Sequence, residues 1–420
     1  MDKFIIHGGE QLNGEVTISG AKNALLALMP ATLLAQGTYN FSNAPQLGDI
    51  STMRKLLQTM GGASTQKQNK LTLDTSHVNT YEAPYEHVKK MRASIYVLGP
   101  LLSRYGYAKV SLPGGCAWGP RPVNLHIEGL KNLGAEIDLE NGYIVAKAKR
   151  LQGTRMVFDV SSVGATGNIM MAATLAKGTT IIENAATEPE IITLADFLLK
   201  MGARINGIGT SHLEIIGVDE LAPTSFEVIP DRIEAATFLC AVALTGGNVI
   251  LHKVIPEHLT SVLSKIEECG TQMEIHNNSV KISSDGIISP VNVTTAPFPG
   301  FPTDVQAQWI ALMAKANGTS LVEDTIYLDR FKHVPELIRL GADITLRENT
   351  AIVKGVRTLK GAKVMSTDLR ASASLILGGL VAKGITEVLR VYHLDRGYET
   401  IEKKLVHLGA KIERVSGSEY

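Results

Sequence analysis

The stretch Gly114-Gly115-Cys116-Ala117-Trp118-Gly119-Pro120-Arg121-Pro122 is unlike any other connection in the chain. Its glycines leave the backbone mobile, and its prolines set the approach to a following helix. Cys116 therefore sits in a loop with little apolar material to bury it, close to Arg121 and to a helix N-terminus. A nearby cation and free helical N–H groups both stabilise a thiolate, the reactive form of cysteine. The other two cysteines have ordinary core settings: Cys240 lies inside ATFLCAVAL, and Cys269 precedes a helix-ending glycine. Three cysteines make no evenly paired framework, which points to free thiols in a reducing cytoplasm. CxxC, HExxH, a Walker A loop and GxGxxG after a strand are all missing from the sequence, so neither a metal nor a cofactor is expected.

The elements that hold this loop come from an internal repeat. Helix ends followed by glycine recur at Gly61, Gly134, Gly202, Gly270, Gly341 and Gly409, spaced by 68 to 73 residues. Each closes an amphipathic helix whose charged face (Lys131, Lys265, Glu267, Glu268, Arg339) belongs in solvent. A second series of small-residue, apolar helices ends at Gly37, Gly106, Gly178, Gly247, Gly318 and Gly384, and these should be buried. Short β-rich runs follow both series. The repeat reads strand, buried helix, strand, outer helix, strand pair, which is βαβαββ, six times over. The sixth copy stops at KIERVSGSEY without its closing strand, and the N-terminal KFIIHGG has the character to supply it. Three repeats each would give two α/β domains, residues 22–229 and a discontinuous one of 1–21 plus 230–420.

Equivalent helix starts fall at one end of each repeat. Those of the buried helices are Lys22-Asn23, Arg92, Ser162-Val163-Gly164, Asp231-Arg232, Asp304 and Asp368 with Arg370. Those of the outer helices include Arg121, Glu190, Arg330 and Arg396. Helix N-termini offer unpaired N–H groups and the positive end of the dipole, so they favour anions. Any one of these residues alone reads as a cap or a solvated charge. Six cations repeating in phase (Lys22, Arg92, Arg121, Arg330, Arg370, Arg396) read as the lining of an anion-binding cleft. Charged substrates would draw its two sides together and fold the Cys116 loop over them.

Over the whole chain the charges cancel, with 41 Lys+Arg against 41 Asp+Glu in 420 residues. That excludes a diffuse polycationic surface for nucleic acid or anionic membrane. No apolar run approaches a membrane span.

Several segments resemble the enolpyruvyl transferases that act on UDP-N-acetylglucosamine. They are SGAKNALL (19–26), MRAS (91–94), LPGGCAWGPRPVNLHI (112–127), SVGATGNIM (162–170), AATEPEI (185–191), DRIEAATF (231–238), FPTDVQAQ (301–308), DRFKHVPEL (329–337), DLRASASL (368–375) and HLDRGYE (393–399). The resemblance implies two inside-out α/β barrel domains of three units each. It also implies transfer of the enolpyruvyl group of phosphoenolpyruvate to the 3′-hydroxyl of UDP-N-acetylglucosamine, with release of phosphate, at the start of peptidoglycan precursor synthesis. By similarity, Cys116 is the acid towards the methylene carbon and Asp304 the base towards the hydroxyl, with Lys22 and Arg396 also catalytic. Lys22, Asn23, Arg121, Arg330, Arg370 and Arg396 would hold phosphoenolpyruvate. Asn23, Arg92, Arg121, Pro122, Val123, Asn124, Leu125, Ser162, Val163, Gly164, Asp304, Ile326 and Tyr327 would hold the sugar nucleotide.

Four positions depart from common family patterns. Val160 stands where many members have lysine, Tyr96 where Trp is common and Asn124 where Asp is, and Trp118 is bulkier than usual. Three other classes share repeated α/β units. The shikimate-type enolpyruvyl transferases lack the loop cysteine, an RNA 3′-phosphate cyclase needs a nucleophilic histidine, and a ring-shaped DNA clamp needs a basic channel.

Overall fold

The structure, a computed structural model, describes residues 2–89, 91–112 and 123–416. Among the described residues, the glycine-punctuated segments form a mixed α/β fold of short strands and helices of up to 14 residues. None of these helices is long and apolar enough to cross a membrane. The chain divides into two compact units, residues 20–229 and residues 1–19 with 230–420. Each has its own apolar core.

Each unit carries three four-stranded sheets of one design. Among the described residues, in four of the six sheets the strand entering a buried helix lies parallel to the strand leaving it, a pairing that demands a crossover element. In the other two, Leu12–Thr17, which runs towards Lys22–Ala31, lies parallel to Gly247–His252, and Ser225–Glu227, which runs towards Arg232–Thr245, lies parallel to Thr38–Ser42. The leaving strand then pairs antiparallel with the second arm of a hairpin, and the first arm forms the far edge. In spatial order, one sheet runs Glu82–Ala83, Tyr107–Ser111, Tyr143–Lys147, Glu136–Glu140. In residues 20–229, the sheet around Thr38–Ser42 borrows its parallel edge, Ser225–Glu227, from the far end of the unit. In the other unit, the sheet around Ile385–Leu389 takes its closing strand from the N-terminus. Asp2–His7 lies between Ile385–Leu389 and Lys411–Ser416, with Ile5 opposite Glu387 on one side and Glu413 on the other. Phe4 and Ile6 are thereby fully buried.

The two helix series differ in burial, except that the outer helix Pro189–Lys200 buries eight of its twelve residues. In Arg232–Thr245 every residue from Ile233 to Leu244 is buried. Such a helix needs apolar neighbours all round, and it packs on Gln306–Met313 and Leu369–Val381, the other two buried helices of its unit. In residues 20–229, Leu98–Tyr105 packs on Val163–Ala173 so closely that a Cβ on Gly99 would come within 2.4 Å of the Asn168 carbonyl oxygen. The outer helix Thr260–Glu268 buries only Val262, Leu263 and Ile266.

The six outer helices end alike. Gly134 N–H bonds the Lys131 carbonyl and Ala135 N–H bonds that of Leu130, the paired bonds of a Schellman ending. The same pair recurs at Gly61, Gly202, Gly341 and Gly409. At Gly270 the Thr271 hydroxyl bonds the equivalent carbonyl, that of Ile266. All six glycines have φ between 89° and 105°, which costs glycine little and a β-carbon much.

Candidate active site

In residues 20–229 the buried-helix starts carry two cations, Lys22 and Arg92, and the neutral Ser162. Lys22 opens the helix Lys22–Ala31, and Asn23 beside it is exposed. The Lys22 ammonium is largely buried and lies 3.3 Å from Asp49, which sits in the first turn of the outer helix Gly48–Thr59. Arg92 is exposed at the start of the 3-10 helix Arg92–Val97. Val123, Asn124 and Leu125 enter the outer helix Asn124–Asn132, with Asn124 exposed. Ser162 caps Val163–Ala173, its hydroxyl accepting the Ala165 N–H at 3.3 Å. Val163 and Gly164 are half-buried at that helix start, and Val160 is 66% exposed beside it.

Two residues that sequence reasoning passed over hold this region. His126 is buried, and Asn168 donates to its Nδ1 at 3.0 Å. The Asn168 amide is itself oriented by the Ile95 carbonyl and the Gly99 N–H. With Nδ1 an acceptor, the neutral ring carries its proton on Nε2. Nε2 faces Gly164, where an added Cβ would lie 3.1 Å away. Burial, reinforced by the positive charge of Arg92, pushes His126 down to about 4, so it is neutral near pH 7. His126 and Asn168 both lie inside segments quoted above for the resemblance; the signal was there, but no local pattern joined them.

In the other unit the charges are set against one another. Asp304 lies in the 3-10 turn Thr303–Val305, ahead of the buried helix Gln306–Met313. One carboxylate oxygen meets Arg330 Nη2 at 2.8 Å and the other meets Arg370 Nη2 at 2.7 Å. Burial pushes the Asp304 carboxyl up, but the Arg370 and Arg330 guanidiniums outweigh it and hold the group well below the usual carboxylate range. As it stands this is a guanidinium-bound anion, and a poor proton acceptor. Arg370 occupies the second position of Leu369–Val381, whose cap is Asp368. Arg396 ends the 3-10 helix Val391–Arg396 and is half-buried.

Ile326 and Tyr327 are placed by Asp324, a fully buried carboxylate that sequence reasoning also missed. It accepts both of their N–H groups, at 3.0 and 2.8 Å. The Thr303 hydroxyl donates to Asp324 at 2.7 Å and accepts from Arg330 at 3.0 Å. One buried carboxylate thus orders both the turn 324–327 and the Arg330 guanidinium.

Cys116, Arg121 and Pro122 lie outside the described residues. Cys240 and Cys269 are buried free thiols. Burial drives Cys240 well above the usual thiol range and Cys269 up to about 12, so neither forms a thiolate readily.

Two buried guanidiniums on one carboxylate, with a buried ammonium at a helix start in the other unit, are the equipment for handling phosphate and carboxylate oxyanions. The comparisons agree with that chemistry. The family model EPSP synthase (3-phosphoshikimate 1-carboxyvinyltransferase) matches residues 6–405, and the chain belongs to that family of carboxyvinyl transferases. Within it, the chain is 58% identical to the UDP-N-acetylglucosamine 1-carboxyvinyltransferase of Chloroherpeton thalassium, over 100% of this chain and 99% of the relative. It is 55% identical to the protein of the same name from Geobacter metallireducens, over 99% and 100%. Among solved structures, the enolpyruvyl transferase NikO from Streptomyces tendae superposes with a TM-score of 0.89 at 24% identity, covering 99% of each chain. An EPSP synthase from Acinetobacter baumannii gives 0.75 at 18%, over 99% and 100%. At those identities the two structures speak for the fold.

Proposed function

We propose that this chain transfers the enolpyruvyl group of phosphoenolpyruvate to the 3′-hydroxyl of UDP-N-acetylglucosamine and releases phosphate. The observation that carries this reading is the 58% identity, end to end, with a relative named for that activity. The shikimate-type alternative is supported only by the family description and by structures at 18–19% identity. Lys22, Arg121, Arg330, Arg370 and Arg396 act on phosphoenolpyruvate. The helix starts at Arg92, Asn124 and Ser162, with the turn carrying Ile326 and Tyr327, serve the sugar nucleotide.

In the addition step the sugar oxygen bonds the central carbon of the donor and gives its proton to Asp304. The methylene carbon takes a proton from the Cys116 thiol, leaving a thiolate. In the elimination step the carbon–phosphate oxygen bond breaks, the methyl returns a proton to the thiolate, and Asp304 passes its proton to phosphate. For Asp304 to accept a proton its guanidinium partners must turn to another anion. The donor's phosphate and carboxylate are suited to take them, so donor binding itself restores the proton affinity of the base. In this proposal the three sheets of each unit close as an inside-out barrel round its buried helices, and the enzyme works in the cytoplasm. Phosphate release from phosphoenolpyruvate is measured with UDP-N-acetylglucosamine or with shikimate 3-phosphate, before and after thiol alkylation. Release with the sugar nucleotide alone, lost on alkylation and in Cys116→Ser, is expected; release with shikimate 3-phosphate would overturn the assignment.

A further inference from the structure

Arg370 is gripped from two sides. Its Nη2 meets Asp304 at 2.7 Å, and its Nη1 donates to the Tyr398 hydroxyl at 3.2 Å. Tyr398 is 2% exposed, and its hydroxyl has two further neighbours, Gln308 Nε2 at 3.1 Å and Thr237 Oγ1 at 2.8 Å. Thr237 gives its own proton to the Ile233 carbonyl at 2.8 Å. With Thr237's only proton given to Ile233, the phenol proton goes to Thr237, and the Tyr398 lone pairs face the N–H donors of Arg370 and Gln308. The Gln308 amide nitrogen also reaches Thr237 Oγ1 and the Asp304 backbone carbonyl, both at 3.1 Å. The reverse amide orientation would set its oxygen against that carbonyl. The network thus ties both members of the Asp304–Arg370 pair to the buried helices Arg232–Thr245 and Gln306–Met313.

We propose that Tyr398, Thr237 and Gln308 are positioning residues, which hold the Arg370 guanidinium in the one orientation that serves both Asp304 and the enolpyruvyl donor. A guanidinium bound at one nitrogen pivots about that bond, whereas one bound at both forks has a fixed plane. The fixed plane lets the donor's carboxylate or phosphate displace Asp304 without a search for geometry. This rests on the donor-binding role given to Arg370 above. None of the three residues touches the reacting atoms in this role.

The test uses the full-length enzyme and three variants. Tyr398→Phe removes the acceptor, Thr237→Val removes the oxygen that fixes the phenol proton, and Thr237→Ser keeps that oxygen. Tyr398→Phe should raise the KM for phosphoenolpyruvate by about tenfold and leave the KM for UDP-N-acetylglucosamine within twofold. Thr237→Val should show a smaller change of the same kind, and Thr237→Ser should match wild type. A loss spread equally over both substrates in Tyr398→Phe would overturn the role. A crystal structure of Tyr398→Phe separates this inference from the reading beneath it. A guanidinium in its original single orientation refutes the positioning role, whatever the substrate. A rotated or split guanidinium with an unchanged donor KM refutes instead the assignment of Arg370 to the donor. A rotated guanidinium with the raised donor KM supports both.

Discussion

The two units use the same topology and spend their buried-helix starts differently. In the unit made of residues 1–19 and 230–420 an aspartate stands at all three: Asp231, Asp304 and Asp368. Asp231 accepts the Ile233 and Glu234 N–H groups, and Asp368 accepts those of Arg370 and Ala371. These two are ordinary caps. Asp304 turns away from its helix, which opens through a 3-10 turn, and takes two arginines instead. In residues 20–229 the corresponding starts are Lys22, Arg92 and Ser162, with no acid among them. That unit presents there an ammonium, exposed helix starts and a neutral histidine. Position in a repeat therefore sets where a side chain stands; what it does depends on which partner the packing brings to it.

The widest separation of the two units should come from removing residues 1–10. Asp2–His7 pairs on both edges and buries Phe4 and Ile6, so deletion should destabilise its unit by about 5 kcal/mol or more. Hydrogen exchange resolved by segment should show protection lost in 230–416 and kept in 20–229. An unchanged melting temperature would break the idea that this strand completes the sheet.

Asp304→Asn should lower phosphate release by about 10²–10⁴-fold, the range for loss of an acid–base group. The equivalent change at a cap, Asp231→Asn, should leave turnover nearly intact, because asparagine caps almost as well. Equal losses in the two variants would erase the distinction between them.

Acid should act on both units and then on one more strongly. Burial pushes His333 down to about 4, despite the nearby Asp368, as it does His126 in the other unit. The unfolded chain takes up these protons from about pH 6.5 downward and the folded chain does not until about 4. Stability is therefore complete above pH 6.5 and falls between 6.5 and 4, by up to about 3 kcal/mol for each histidine. Asp304 has the opposite origin and the same sign. Its depressed carboxyl contributes stability above the ordinary carboxylate range, lost as pH falls below it. Urea titrations at pH 7, 5 and 3.5, read in each unit by hydrogen exchange resolved by segment, should show parallel losses to pH 4. Below that, the extra loss should fall in 230–416.

The smallest effects should be those of the caps. Asp231→Ala and Asp368→Ala should each cost about 1 kcal/mol, and Ser162→Ala, whose bond is 3.3 Å, about half that. Thermal melts of the three variants rank them, and a larger loss for Ser162→Ala would reverse the expectation.

Local chemistry made most of the architecture readable in the chain. A C′ glycine needs only its own backbone to end a helix, and alanine-rich or charged faces declare burial within one turn. Six repeats, two kinds of helix and the places of Lys22, Asp304 and Arg370 at or near helix starts follow from such neighbours-in-sequence effects. The partners of those residues do not. Lys22 meets Asp49 across 27 residues, His126 meets Asn168 across 42, and Arg370 meets Asp304 across 66. Asp304 shows the cost of that gap most clearly. The resemblance makes it the expected base, but only folding reveals that two guanidiniums hold both its oxygens. Tyr398, Thr237 and Gln308 carry no motif of their own, because a phenol, a hydroxyl and an amide become a hydrogen-bond network only when three buried segments converge. The sequence by itself determined the repeat, the helix ends and the kinds of charge at them, since those depend on spacing and on backbone conformation. Tertiary structure alone decided which charges neutralise one another and which proton sits where, since Coulomb attraction and hydrogen bonding act through space and fall off within a few ångströms.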